Sequence, residues 1–242
     1  MTSRLLLGML TPSSNTVLEP VTAAMLAGLP HASAHFGRFK VTEIALTDAA
    51  LGQFDDSAIL AAAELLGHAR LHTIAWNGTS AGWLGFDTDE RLCARIEAHT
   101  GIRACTSVLA LNEILRQRGV MRLGLVSPYR DDVQARIVAN YRAAGIECVA
   151  ERHLGLQDNY AFSEVTPDTL RGMVREVAQA GPQAIAIYCT NLAGAPLAAE
   201  LEDTCGIPVY DTVATAVWKS LKLAGGDVSA LASWGSLFRE KA

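Results

Sequence analysis

The feature that most limits how this chain can fold is an alternation, sustained from end to end, of short apolar runs with longer amphipathic stretches. Leu5–Leu10 is apolar and stops at the turn-forming cluster Thr11-Pro12-Ser13-Ser14-Asn15-Thr16. A stretch to about Leu29 follows, with Val17, Leu18, Val21, Met25 and Leu26 on one face, and Asn15 or Thr16 is placed to cap it as a helix. Runs at His72–Trp76, Arg103–Ser107, Arg122–Ser127, Glu147–Glu151, Ala184–Cys189 and Val209–Thr212 read as strands, and Ser33–Thr47 as extended chain. Between them, Asp56–His68, Asp89–His99, Ala110–Arg118, Val133–Ala144, Thr169–Gln179, Leu197–Thr204 and Val213–Leu223 read as helices, most closed by a glycine. Strands alternating with helices of about 10–15 residues predict βαβ units and a mainly parallel sheet. In such sheets ligands sit beyond the carboxyl ends of the strands, so the turns after the strands are where chemistry belongs.

The alternation also repeats itself. Gly101-Ile-Arg-Ala-Cys-Thr-Ser-Val-Leu-Ala, with a helix ending at Gly119, parallels Gly206-Ile-Pro-Val-Tyr-Asp-Thr-Val-Ala-Thr, with a helix ending at Gly225. Ile74-Ala-Trp-Asn-Gly-Thr-Ser lies over Ile185-Ala-Ile-Tyr-Cys-Thr-Asn, which puts Gly78 over Cys189, Thr79 over Thr190 and Ser80 over Asn191. Arg4–Leu10 followed by Pro12 resembles Arg122–Ser127 followed by Pro128. A repeat of roughly 110 residues indicates duplication of a whole α/β unit. The expected division is residues 1–117 with 213–242 as one half and 118–212 as the other, with polar turns from both around one cleft.

Composition narrows the function classes. Of 242 residues, 50% are hydrophobic and 19% charged, enough for a large core and too apolar for a disordered chain. The net charge of −5, the absence of a basic run and only 6% aromatics argue against nucleic acid as a partner. No apolar stretch reaches the ~18–20 residues of a membrane span, and the N-terminal MTSRLLLGMLTPSSN is too short for a signal peptide, so a cytoplasmic protein is expected. Cys93, Cys105, Cys148, Cys189 and Cys205 are odd in number and lack CxxC spacing, which argues against a disulfide framework or a zinc site. His68 and His72 are four apart, but Gly67 and a strand start interrupt any helix carrying both, so no metal is expected. P-loop, Gly-x-Gly-x-x-Gly and Gly-x-Ser-x-Gly patterns are missing.

Several turns could carry chemistry. Cys189 closes an apolar run ahead of Thr190 and Asn191; near a helix N-terminus its thiol would have a lowered pKa and serve as nucleophile, acid or base, or it is a buried structural cysteine. Gly78-Thr79-Ser80 offers N–H groups and hydroxyls to an oxyanion or carboxylate, or is an ordinary cap. The same pair of readings applies to Ser13 and Asn15. Tyr129 follows the strand Arg122–Ser127 and would donate its phenol to an anion, or is a half-buried surface aromatic. The other four cysteines read as structural.

Together these segments resemble the aspartate/glutamate racemase superfamily, in the branch of the maleate cis-trans isomerases and arylmalonate decarboxylases. Thr11-Pro-Ser-Ser-Asn-Thr-Val-Leu-Glu-Pro20 is similar to the opening signature of the maleate isomerases. Asp158-Asn159 is similar to their loop with a substrate-binding Asn, Gly78-Thr79-Ser80 to the decarboxylase's oxyanion turn, and Pro128-Tyr129 to the segment with the substrate-binding Tyr. Cys189 falls on the second of the superfamily's two catalytic cysteines. Overall the chain looks most like the racemase-like proteins of bacterial ectoine utilisation. The resemblance implies an α/β fold of two pseudo-symmetric Rossmann-like halves with parallel sheets and the active site in the cleft between them. It also implies no cofactor, a small carboxylate substrate, and substrate contacts from Ser13, Asn15, Thr79, Ser80, Tyr129, Asn159, Thr190 and Asn191. Self-association into a homo-oligomer is left open.

One position departs from the racemases and maleate isomerases: Gly78 stands where their first cysteine is, as in the decarboxylases. Two-base racemisation needs an acceptor on each face of the carbon, which one thiol cannot supply. Decarboxylation needs one proton donor, but also an apolar pocket for the departing carboxylate, a region that Asp158-Asn159 is expected to make polar. A thiol could also add reversibly to a cis alkene and leave after rotation. The sequence therefore favours a cofactor-independent isomerase or epimerase of a small carboxylic or dicarboxylic acid. The alternatives are an arylmalonate-type decarboxylase with Cys189 as proton donor, and a non-catalytic small-acid binding protein.

Overall fold

Two sheets of identical strand order carry the chain. The computed structural model describes residues 4–54 and 56–239; residues 1–3, where the N-terminal stretch begins, residue 55 and residues 240–242 lie outside the described residues. In the first sheet β1 (Leu5–Pro12) lies between β2 (Ala32–Phe39) and β3 (Thr73–Trp76), with β4 (Arg103–Thr106) beside β3. In the second, β5 (Arg122–Ser127) lies between β6 (Glu147–His153) and β7 (Ala184–Ile187), with β8 (Val209–Asp211) beside β7. All pairings between these strands are parallel. The central strands are buried almost throughout, which is why they read as unbroken apolar runs rather than as alternating ones.

The helices are α1 (Leu18–Leu26), α2 (Asp48–Leu51), α3 (Asp56–Gly67), α4 (Ala81–Leu84), α5 (Phe86–Thr100) and α6 (Ser107–Gln117), then α7 (Asp131–Ala143), α8 (Pro167–Ala178), α9 (Ala198–Cys205) and α10 (Thr212–Ala224). After β8 the chain returns to the first sheet, where α10 packs on α6, β1, β3 and β4. No helix among the described residues is long and apolar enough to cross a membrane.

The internal repeat has a three-dimensional counterpart. Gly8 of β1 pairs with Ile74 and Gly124 of β5 with Ile185, the two isoleucines that the repeat superposes. Both glycines are there for space: a Cβ would lie 2.7 Å from Leu71 Cδ1 at Gly8 and 2.4 Å from Val177 Cγ1 at Gly124. Gly101 and Gly206, also superposed, close α5 and α9 with φ of +70° and +67°.

Three local departures from the sequence reading bear on function. β7 ends at Ile187, paired with the last residue of β8, so Cys189 stands in the turn beyond the strand rather than at its end. The extended segment Ser33–Thr47 is strand only as far as Phe39; residues 40–47 peel away as a loop. The single turn α4, stopped by Gly85 at φ +108°, follows Ser80, and Gly82 within it and Gly85 after it leave no helical signal in the sequence there.

The edge strand β6 is tied to α7 by polar groups. Ser127 Oγ donates to Gln134 Oε1 (2.6 Å) and Gln134 Nε2 to Glu151 (2.8 Å), while His153 sits between Glu151 (2.8 Å) and Asp131 (2.9 Å). Partial burial lowers the His153 pKa, but the two carboxylates outweigh it and the net shift is upward. A raised folded-state pKa stabilises the fold fully below the unfolded value of about 6.5, and that stabilisation is lost as pH rises through the raised value. The thermal midpoint of His153→Gln should therefore lie further below wild type at pH 6 than at pH 8.5; a gap that widens with pH would refute the assignment. Gly124→Ala should cost about 1–3 kcal/mol by overpacking against Val177, read from urea denaturation.

Candidate functional site

The turns after β1, β3, β5 and β7 meet where the two halves face each other, and buried asparagines join them. Asn15 Nδ2 donates to the carbonyl and hydroxyl oxygens of Thr190 (3.1 and 3.2 Å), and its Oδ1 accepts from the N–H groups of Val17 and Leu18. All four of its hydrogen-bonding positions are thereby used. Asn191, from the opposite half, accepts at Oδ1 from Thr16 and Val17 N–H and donates from Nδ2 to the Asn159 carbonyl (2.5 Å). Thr190 Oγ1 donates to the Asn77 carbonyl (3.0 Å). Ser13 Oγ and Ser14 Oγ hold Val41.

Between these turns lies a cavity of about 20 Å³, lined by seven of the residues singled out above: Gly78, Thr79, Ser80, Tyr129, Asn159, Cys189 and Thr190. Ser13, Asn15 and Asn191 do not line it; they tie the halves together and hold the loops over the site. Roughly one water would fill this space. It is closed by loops from both halves that pair antiparallel. Ile44 N–H donates to Gln157 O and Asn159 N–H to Thr42 O (both 2.9 Å), with Glu43 opposite Asp158.

One side of the lining is apolar: Val41 and Ile44 of these loops lie there with Pro12, Trp76 and Trp83. Of the polar pair Asp158-Asn159 expected at the cleft, Asn159 lines it and Asp158 does not. Asp158 turns its carboxylate back onto Tyr160 N–H, and Asn159 Nδ2 donates to Ser14 Oγ (2.7 Å). Gly78 lies under the Trp76 indole, where a Cβ would come within 1.9 Å of a ring carbon. Trp76 is itself fixed against Phe39, with ring centroids 5.1 Å apart. A cysteine at position 78 would require that indole to move.

The polar groups converge opposite Gly78. Thr79 Oγ1 and the Tyr129 hydroxyl share a hydrogen bond of 2.5 Å, and the phenol stands beside the Cys189 thiol, close enough to influence its charge. Edge contacts with Trp83 (5.3 Å) and Phe162 (5.6 Å) fix the phenol. Among the described residues, no acceptor takes the N–H groups of Gly78, Thr79, Ser80, Cys189 or Thr190. They remain available to a developing oxyanion.

Electrostatics correct one expectation. The thiol of Cys189 is pushed up to about 12, not down. Burial dominates, partly offset by hydrogen bonds from Tyr129 and the N–H groups of Asn191 (3.4 Å) and Leu192, while Asp211 raises it further. Position near a helix start could not outweigh removal from water. Burial and the neighbouring thiol likewise hold Tyr129 well above its usual range. At neutral pH the site therefore presents a protonated thiol and a protonated phenol.

Sequence reasoning missed Val41, Ile44, Trp76, Trp83 and Phe162, whose roles arise from long-range packing; of these only Trp76 carried a local signal, as the last residue of the strand before Asn77-Gly78. Among the described residues no group of three or more His, Cys, Asp or Glu is placed to share a metal ion.

A family model described as arylmalonate decarboxylase matches residues 7–238. An arylmalonate decarboxylase from Bordetella bronchiseptica is 26% identical over 237 residues, 97% of this chain and 96% of that one. A maleate isomerase from Geobacillus stearothermophilus is 25% identical over 230 residues, 89% and 90% of the respective chains. Among solved structures, a cysteine-to-serine variant of Nocardia farcinica maleate cis-trans isomerase, with a covalently bound succinylcysteine intermediate, superposes with a TM-score of 0.89. It has 21% identity and covers 99% of this chain and all of that one. At that identity the superposition speaks to the fold, which agrees with the two-half architecture read from the repeat.

If burial rather than the helix start governs Cys189, its alkylation by iodoacetamide, followed by peptide mapping, should climb about tenfold per pH unit from 7 to 9.5 without levelling. Tyr129→Phe, which removes a bond favouring the thiolate, should slow it. A plateau below pH 9 would mean a depressed thiol.

Proposed function

The chain belongs to the arylmalonate decarboxylase family, and from that premise we propose that it is a cofactor-independent enzyme that forms an enediolate from a small carboxylic or dicarboxylic acid. Cys189 is its single proton carrier. The observation that carries this reading is the asymmetry of the cleft: one protonated thiol faces a glycine that the Trp76 indole leaves no room to replace.

Of the reactions open to such a site, decarboxylation of an α-substituted malonate fits best. One carboxylate is retained on the hydroxyls of Thr79, Ser80 and Tyr129 and the free N–H groups of the 78–80 and 189–190 turns. The other lies against Val41, Ile44 and Trp83, where a charge loses its hydration. The bond to that second carboxylate breaks, CO2 departs, and the electron pair passes into the retained carboxylate as an enediolate, which the donors stabilise. Cys189 then gives its proton to the α-carbon from one face, and the thiolate recovers a proton from water. A thiol held near pKa 12 is suited to donating a proton to a strongly basic carbon.

Isomerisation of a cis dicarboxylate is the second reading, supported by relatives about 25% identical that are named maleate isomerase. In the Nocardia protein a succinyl group is bound to a cysteine although another cysteine has been replaced by serine. In this chain Cys189 would have to serve as the nucleophile, and it would first have to lose its proton.

Cys189→Ala should lower turnover by about 10²–10⁴-fold while leaving substrate affinity nearly unchanged, measured by CO2 release from phenylmethylmalonate and by fumarate formation from maleate. CO2 release without fumarate supports the first reading, and fumarate without CO2 the second. A Cys189→Ala enzyme as active as wild type would sink both, and binding without either product would leave a binding protein.

A further inference from the structure

A second, mostly apolar cavity lies away from the cleft, at the junction between the halves. Its volume is about 320 Å³, against about 20 Å³ for the cleft. Phe86 of α5 and Leu115 of α6 form one wall, Ile146 and the floor residue Tyr141 of α7 the other, and the crossover at Gly119–Met121 closes one end. Tyr141 is fully buried, packs against Phe86 at 5.1 Å and meets Tyr188 edge-on at 5.9 Å, so its ring stands between this cavity and the turn carrying Cys189. Met121, on the rim, is 57% exposed, one of the few large apolar side chains so placed.

The polar groups of the cavity are few and of one kind. Tyr141 donates its hydroxyl to Asn112 Oδ1 (3.1 Å), which turns the two Nδ2 hydrogens of Asn112 away from any partner among the described residues. Arg116, in the last turn of α6, has no carboxylate within salt-bridge reach among the described residues, as is true of several other surface arginines, but it is the one that lines this cavity. An apolar groove with an unpaired guanidinium and a free amide at one end offers donors and no anionic acceptor. Its volume is about twice the ~150 Å³ that holds a benzene ring, and within the lower range of small-molecule sites.

We propose that this cavity is a second ligand site, taking a small amphipathic monocarboxylate whose apolar ring or chain lies between the two halves and whose carboxylate meets Arg116 and Asn112. The site is independent of the cleft chemistry: its residues are none of those lining the cleft, and its occupant touches both halves at once.

The test uses the full-length protein with 4-phenylbutyrate as probe and 4-phenylbutanol as its neutral counterpart, followed by methyl NMR and calorimetric titration. Saturable binding is expected, with shifts concentrated on the methyls of Leu115, Met121 and Ile146. Affinity for the acid should fall about tenfold in Arg116→Gln while affinity for the alcohol is unchanged, the signature of a lost charge-assisted hydrogen bond. Arg116 is exposed, so the variant should melt as wild type does. The proposal is overturned if the acid binds Arg116→Gln as tightly as wild type, or if shifts fall on Val41 and Ile44 in the cleft. It is equally overturned if no saturation occurs below 10 mM, or if sedimentation shows a dimer that buries Met121 and leaves the probe no access.

Discussion

Everything at the cleft depends on a set of buried amide hydrogen bonds that cross from one half to the other. Asn15 and Asn191 stand on opposite halves and each reaches the other's turn, through Thr190 in one direction and through the N–H groups of Thr16 and Val17 in the other. These bonds lie out of water, where an unpaired amide would cost about 1–3 kcal/mol. The two sheets therefore have one favourable way to dock. That docking sets the Cys189 turn opposite the Gly78 turn and brings the loops of residues 40–47 and 154–160 together over them.

Closure in turn sets the electrostatics. With so little free volume the thiol of Cys189 and the phenol of Tyr129 both lose hydration, and desolvation outweighs the hydrogen bonds that favour their anions. The same dry wall that holds the thiol neutral makes the cleft inhospitable to a carboxylate that is not seated on the Thr79, Ser80 and Tyr129 side. One dry side and one side rich in donors is the asymmetry on which the proposed retention of one carboxylate and loss of the other rests. The Trp76 indole adds a second asymmetry, since it fills the space a side chain at position 78 would need.

Much of this was legible in advance because it is local or periodic. The strands and most of the helices follow from apolar runs and capping glycines, and Gly78-Thr79-Ser80, Tyr129 and Cys189 were found because they stand just after strands. Less was legible where distant segments decide. Ser13, Asn15 and Asn191 have the chemistry of substrate ligands, and in the folded chain they hydrogen-bond to partners 28 to 175 positions away. Asp158 is expected to make the cleft polar together with Asn159, but its carboxylate accepts from Tyr160 N–H in its own turn. Val41 and Ile44 carried no signal, since they sit in a loop that takes its shape only against the other half.

The sequence by itself determined the duplicated α/β architecture, because hydrophobic period and turn residues act over a few positions and survive in any context. It also determined the asymmetry of one thiol against one glycine, which is a matter of residue identity alone. The state of that thiol was decided by tertiary structure, because a pKa depends on how much water and which neighbours surround the sulfur once the halves have docked. The division of labour among the polar residues was decided there too, since a hydrogen bond spent on the protein is unavailable to a substrate, and only the folded chain shows which are spent.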